Sequence, residues 1–188
     1  RDTDRSRGLG DVYKRQELGI QKRLWFSAFG FVDVIGKAGK VWNKVPYPLL
    51  ILPNANLTYT IQPEAYTNMN AIEFINDEYI SWDVTYYMNG LILNRLPLIK
   101  KLKWREVLCF RGLWGHLTDK NNPMKTGEGL YAFPVGSGVM GRAPYMEASV
   151  GIENIFKVLR LDYIWRLTYR DSPGIDRSGL RISLHMTF

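Results

Sequence analysis

Few side chains in this 188-residue sequence stand in combinations that could make or break a covalent bond. There are two histidines, His116 and His185, and one cysteine, Cys109. A serine hydrolase needs a nucleophile within reach of a base, and an acid that orients the base. No nucleophile-elbow motif surrounds any serine, and spacing sets none beside either histidine. One cysteine excludes an internal disulfide and a cysteine-based zinc site. Gly136-Ser137-Gly138-Val139-Met140-Gly141 matches a dinucleotide fingerprint, with Asp162 about 20 residues further on. That fingerprint works only between a strand and a helix whose N-terminus meets the phosphates. Here Arg142-Ala143-Pro144 and an alternating segment follow, so the motif reads as a loop. Gly36-Lys37-Ala38-Gly39-Lys40 lacks the spacing and the hydroxyl residue of a phosphate loop. No catalytic residue, cofactor or metal is implied.

The chemistry that does follow a pattern is electrostatic. Glu147, Glu153, Arg160, Asp162, Arg166 and Arg181 fall on alternate positions of three alternating segments. Such a set can line a solute path, or it can pair into a salt-bridge network that plugs and stiffens a barrel wall. The second reading is preferred.

The elements that position these charges are strands. In 179–188, Leu180, Ile182, Leu184, Met186 and Phe188 alternate with Arg181, Ser183, His185 and Thr187. In 159–169, Leu161, Tyr163, Trp165, Leu167 and Tyr169 oppose Arg160, Asp162 and Arg166. The same period of two runs through 146–153 and 79–88. Segment 104–117 is oriented by Arg105 and Arg111, which leaves Leu108, Phe110 and Trp114 opposite. Segments 31–42 and 17–26 complete about seven strands, each near the ~9–11 residues that cross a bilayer at a tilt. Residues 1–16 carry five basic and three acidic side chains and no apolar period, and are set apart as a non-native or unstructured extension. The domain is 17–188.

The connections at 27–30 and 155–157 are tight, those at 43–73 and 118–143 are long. A meander puts successive connections on opposite ends, so the long loops share one end and the tight turns the other. The fold class expected is all-β, an antiparallel up-and-down meander forming part of a transmembrane β-barrel. Seven is odd, and single-chain bacterial barrels use even numbers from eight upward. The sheet should therefore be open, with an unpaired edge at 17–26.

Composition is that of a folded chain, 46% hydrophobic and 13% aromatic, with a net charge of +7. No apolar run approaches the ~20 residues of a transmembrane helix. Alternation alone fits a soluble sandwich, apolar face inward, as well as a membrane barrel, apolar face outward. Large aromatics on the apolar faces, mixed charges on the polar faces and long loops at one end favour the barrel. So does magnitude: Arg160, Arg166 or Arg181 in hydrocarbon would each cost roughly 2–4 kcal/mol near the midplane. Arg95, Lys100, Lys101, Lys103 and Arg105 flank 91–102. Without a stacking platform of aromatics this basic stretch does not suggest nucleic acid. It reads as a short amphipathic segment at a membrane interface.

The segment PYMEASVGIENIFKVLRLDYIWRLTYRDSPGIDRSGLRISLHMTF, with AGKVWNKVPYPLL, MNAIEFINDEYIS, NGLILNRLPLIKKLKWREV and LTDKNNP, resembles a Bacteroidota outer-membrane family of unknown function. Members of that family pair an N-terminal carboxypeptidase-regulatory-like domain with a C-terminal barrel. The resemblance implies an outer-membrane location, contact with lipid, and pairing with the remaining strands of a larger barrel. It also implies an assembly signal read by the barrel-assembly machinery, carried by Leu180, Ile182, Leu184, Met186 and Phe188. More distantly, the tail is similar to the surface-antigen barrels, whose Arg-Gly-Phe/Tyr loop folds into the lumen. Residues 43–73 would take that loop's place but contain no Arg-Gly pair; Arg111-Gly112 lies in a strand. That departure argues against insertase activity. The function expected is a membrane-embedded barrel segment serving transport, translocation or outer-membrane biogenesis, without chemistry of its own. A soluble ligand-binding β-barrel and a barrel-embedded hydrolase are the alternatives.

Overall fold

The computed structural model describes residues 14–58, 65–126, 130–171 and 174–184. Seven strands follow one another in a single antiparallel sheet, in sequence order. They are β1 (Arg15–Trp25), β2 (Phe31–Val41), β3 (Glu78–Tyr87), β4 (Arg105–His116), β5 (Tyr145–Ile155), β6 (Leu159–Arg166) and β7 (Ser178–Leu184). Among the described residues β1 and β7 do not pair, so the sheet is open at both edges. β1 begins two residues inside the stretch set apart from the domain: Arg15 and Gln16 pair with Val41 and Lys40. Because the order is strictly sequential, the loops after β2, β4 and β6 share one end. The Ser27–Phe29 turn, the 88–104 connection and the 156–158 turn share the other.

The register places every side chain. Leu161 stands opposite Ile182 and Tyr163 opposite Leu180, while Asp162 faces Arg181. Ala148 faces Trp165 and Val150 faces Tyr163, while Glu147 faces Arg166. Across β4, Phe110 faces Ala148 and Arg111 faces Glu147. Opposite partners lie on one face of a pleated sheet, so a mainly apolar face and a mainly polar face run from β1 to β7; Lys22 stands on the first, opposite Val34, and Trp25, Phe31 and Tyr87 stand in one row on the second. On the apolar face Trp82 lies over Gly112; a Cβ there would meet its ring at 2.0 Å.

Burial is inverted relative to a soluble sheet. Glu147 and Arg166 are each 2% exposed, whereas Tyr163 and Trp165 are each 40% exposed and Leu180 50%. Over β4–β7 the polar face is buried because the long loops fold back over it. Residues 65–77 lie against β4–β7, joined to 138 by the Phe74–Gly138 bridge. Two apolar clusters form beneath them at the long-loop end. One holds Val41, Val45, Leu50, Ile51, Ile75 and Leu117. The other holds Tyr66, Met69, Phe74, Leu113, Met140 and Tyr145. The core thus sits between loop and sheet.

One residue of the expected outer girdle is elsewhere. β6 stops at Arg166, and Tyr169 has φ 53°, which turns its ring off the apolar face. Its hydroxyl donates to Ala143 O at 2.6 Å and accepts from Gly141 N at 2.9 Å, and its ring lies 5.0 Å from that of Phe74. Period two ends where the strand ends.

Candidate functional site

The site is the polar face of β4–β7 and the loop clamped to it. Arg166 is its centre. Its Nε donates to Thr168 O at 3.1 Å. Nη1 donates to Asn68 O and to Glu73 Oε2, both at 2.9 Å. Nη2 donates to Glu73 Oε1 at 2.5 Å and to Tyr169 O at 2.8 Å. Every guanidinium N–H is used, and the plane lies over Tyr145, 4.7 Å from the ring centroid. A buried guanidinium is tolerable only with such pairing.

Glu147 stands opposite Arg166 in the register but serves the loop. Its carboxylate accepts from the backbone N–H groups of Thr67 at 3.0 Å and Asn68 at 2.7 Å, and from the Tyr145 hydroxyl at 2.5 Å. Asn68 returns a bond, Nδ2 to Ile164 O at 3.3 Å. Arg111 lies 2.5 Å from Asp83 and donates from Nη1 to Ala65 O at 3.0 Å. The Tyr66 hydroxyl donates to Gly112 O at 3.0 Å, and burial pushes its pKa up, so it remains a donor. Residues 65–73 are therefore held by charged and polar groups from β4, β5 and β6.

The six expected residues do not form one chain of ion pairs. Arg166 and Glu147 meet the loop. Arg160 and Asp162 pair with each other along β6, in a two-pronged contact at 2.7 Å each. Gly151 makes room for that pair: a Cβ on it would lie 2.2 Å from Asp162 Oδ1. Glu153 is buried towards the tight-turn end of β5, opposite Arg105. Arg181, near the β7 edge, reaches Thr67 O at 3.5 Å. The loop, rather than the strand charges among themselves, fills the space. A strand pattern reports which face a charge takes and nothing about a partner far along the chain; Glu73 is 93 residues from Arg166.

Of the expected assembly signal, Leu180, Ile182 and Leu184 lie exposed on the apolar face; Met186 and Phe188 are outside the described residues, as is His185. His116 ends β4 opposite Glu78. Cys109 is buried beside Thr85, whose hydroxyl donates to Sγ at 3.4 Å. Among the described residues no three His, Cys, Asp or Glu side chains cluster to hold a metal. The glycine motif lies across the loop: Gly138 N donates to Glu73 O at 2.9 Å and its carbonyl accepts from Ile75 N at 3.1 Å.

Sequence reasoning missed Glu73, Asn68, Tyr66 and Asp77. The available signal was Tyr66, Met69 and Phe74, large apolar residues in a connection that has no strand period. Asp77 accepts from Thr118 N at 3.0 Å, from the Thr118 hydroxyl and from Asn121 Nδ2 at 2.9 Å. Asn121 Oδ1 in turn accepts from Val45 N at 2.9 Å, so the roots of both long loops are tied together. Between the loop and β1–β4 a cavity of about 450 Å³ remains, lined by Glu17, Lys37, Tyr79, Ser81, Asp83 and Arg111 among others.

No curated protein and no solved structure matches the chain. One family model does, over residues 10–122, which takes in β1–β4 and the infolded loop. That match spans more than half of the sequence, and the chain belongs to the C-terminal domain family of a family of unknown function (DUF5686).

Proposed function

We propose that this chain is a wall segment of an outer-membrane β-barrel that serves transport, translocation or outer-membrane biogenesis and performs no covalent chemistry. One observation carries the reading: charged residues are buried on one face while tryptophan, tyrosine and leucine stay exposed on the other. In water that arrangement leaves a broad apolar surface unburied. Against hydrocarbon it is the favourable one, and strands of up to 12 residues have the length to span it. Open edges on β1 and β7 present unpaired backbone groups, which further strands of a larger barrel would satisfy. The cavity beside the clamped loop, lined by apolar side chains such as Ile35, Leu52 and Trp82 as well as by Glu17, Lys37 and Arg111, supports a role in transport, translocation or outer-membrane biogenesis.

Fractionating cells that make the protein carrying this chain tests the reading. It should sediment with outer membranes and resist alkaline extraction. A cysteine at Ile182 should be shielded from a membrane-impermeant maleimide while the protein is embedded, and exposed after denaturation. Recovery as a soluble monomer without detergent would overturn the proposal in favour of a soluble barrel.

A further inference from the structure

We infer that the 88–104 connection is a docking platform for anionic phospholipid headgroups; this rests on the membrane reading above. The connection joins β3 to β4 at the tight-turn end and contains two 3₁₀ turns, Leu93–Arg95 and Ile99–Leu102. Its position is fixed from both sides. The Glu106 carboxylate accepts from Ile92 N at 3.1 Å and from Leu93 N, and Asn154 Nδ2 donates to Lys103 O at 2.7 Å. Leu91, Leu93 and Ile99 are half-buried, yet Ile92, Leu96, Leu98 and Leu102 are exposed, Leu98 to 85%. None belongs to either apolar cluster. Interleaved with them, Arg95, Lys100, Lys101 and Lys103 are exposed, and among the described residues no ion pair engages them.

Charge separates the two ends of the sheet. The tight-end connections, 26–30, 88–104 and 156–158, carry five basic residues and no acidic one. The long-end connections, 42–77, 117–144 and 167–177, carry six basic and seven acidic. A surface that is apolar and cationic at once fits the boundary of a bilayer: leucines enter the acyl region, and basic groups reach the phosphates. The exposed apolar face of β4, beginning at Leu108, continues from it. A nucleic acid or acidic protein would meet the charges but leave Leu98 in water.

The test uses the whole protein with Cys109→Ser and a single new cysteine, Leu98→Cys or Ile182→Cys, carrying an environment-sensitive fluorophore. It is incorporated into vesicles of phosphatidylcholine alone, or of phosphatidylcholine and phosphatidylglycerol in equal parts. The Leu98→Cys label should shift to the blue strongly with phosphatidylglycerol. Glutamine at 95, 100, 101 and 103 should weaken that preference at least ~10-fold, as the loss of four near-surface charges requires, and should leave the Ile182→Cys signal unchanged. A water-exposed label at 98 with a shielded one at 182 would overturn this inference and keep the membrane reading. Exposure at both sites would overturn the two together. An equal shift in both vesicles, indifferent to the glutamines, would overturn headgroup recognition.

Discussion

Two arginines on the same polar face live in opposite circumstances. Arg166 on β6 is buried and uses all its donors on Glu73, Asn68, Thr168 and Tyr169. Arg23 on β1 is exposed and meets a single carboxylate, that of Asp33, at 2.6 and 2.8 Å. The strands are alike in pattern; what differs is the loop. Residues 65–73 cover β4–β7 and stop short of β1–β2, where every residue of β1 is exposed. The polar face is therefore two surfaces, one complete and one uncovered. Burial of charge in this fold follows from what the loops deliver, and the strands merely present it.

Breaking the complete half at its centre should have the largest effect. Arg166→Met removes the partner of Glu73 and of three carbonyls while leaving the carboxylate buried. A loss of roughly 3–5 kcal/mol is expected, as for other buried pairs broken on one side. Chemical denaturation should show it, and limited proteolysis should show early cleavage within 65–77. Normal stability with an intact loop would mean that the loop is not held by Arg166.

The two faces of one strand offer the next test. Ile182→Arg puts a charge on the apolar face and should cost up to roughly 2–4 kcal/mol in lipid, depending on depth. Ser183→Arg, one residue on, points to the polar side and should cost much less. Folding yields into vesicles compare the two. Equal losses would show that the faces do not differ in what they contact.

A smaller, local effect is expected at Gly151. Gly151→Ala would bring a methyl within 2.2 Å of Asp162 Oδ1, forcing that carboxylate off Arg160. Overpacking of this kind costs about 1–3 kcal/mol. The thermal midpoint should fall. In an Asp162→Ala background, where Arg160 has already lost that carboxylate, Gly151→Ala should cost little further if the clash is with that side chain.

How much of this was legible follows the same division. Period two in 146–184 placed Glu147, Arg160, Asp162 and Arg166 on one face and Tyr163, Trp165, Leu180 and Ile182 on the other, and the register agrees. Alternation is a local property, dictated by the pleat. The clamp is not local. Glu73 reaches Arg166 across 93 residues and Asn68 reaches Ile164 across 96, from a segment without any period. Alternation continued past Arg166 misplaces Tyr169, because the ladder ends there. The meander order alone puts loop 43–73 at its observed end, but its return over the sheet depends on the tertiary partners of Tyr66, Met69 and Phe74.

The smallest effect is expected at the other arginine. Arg23→Met removes a pair whose guanidinium side is open to water, so solvent can take its place beside the half-buried Asp33 and little is lost. The guanidinium also lies over Phe31, 4.4 Å from the ring centroid, and methionine keeps an apolar contact there. The denaturation midpoint of the chain should therefore not move measurably, in contrast to Arg166→Met. A loss as large as that of Arg166→Met would mean that something covers β1–β2, and the division of the polar face would fail. Repeating the pair of substitutions in a protein that pairs another strand with β1 sharpens the contrast. There Arg23 should become costly only if its new neighbours bury it, as residues 65–73 bury Arg166.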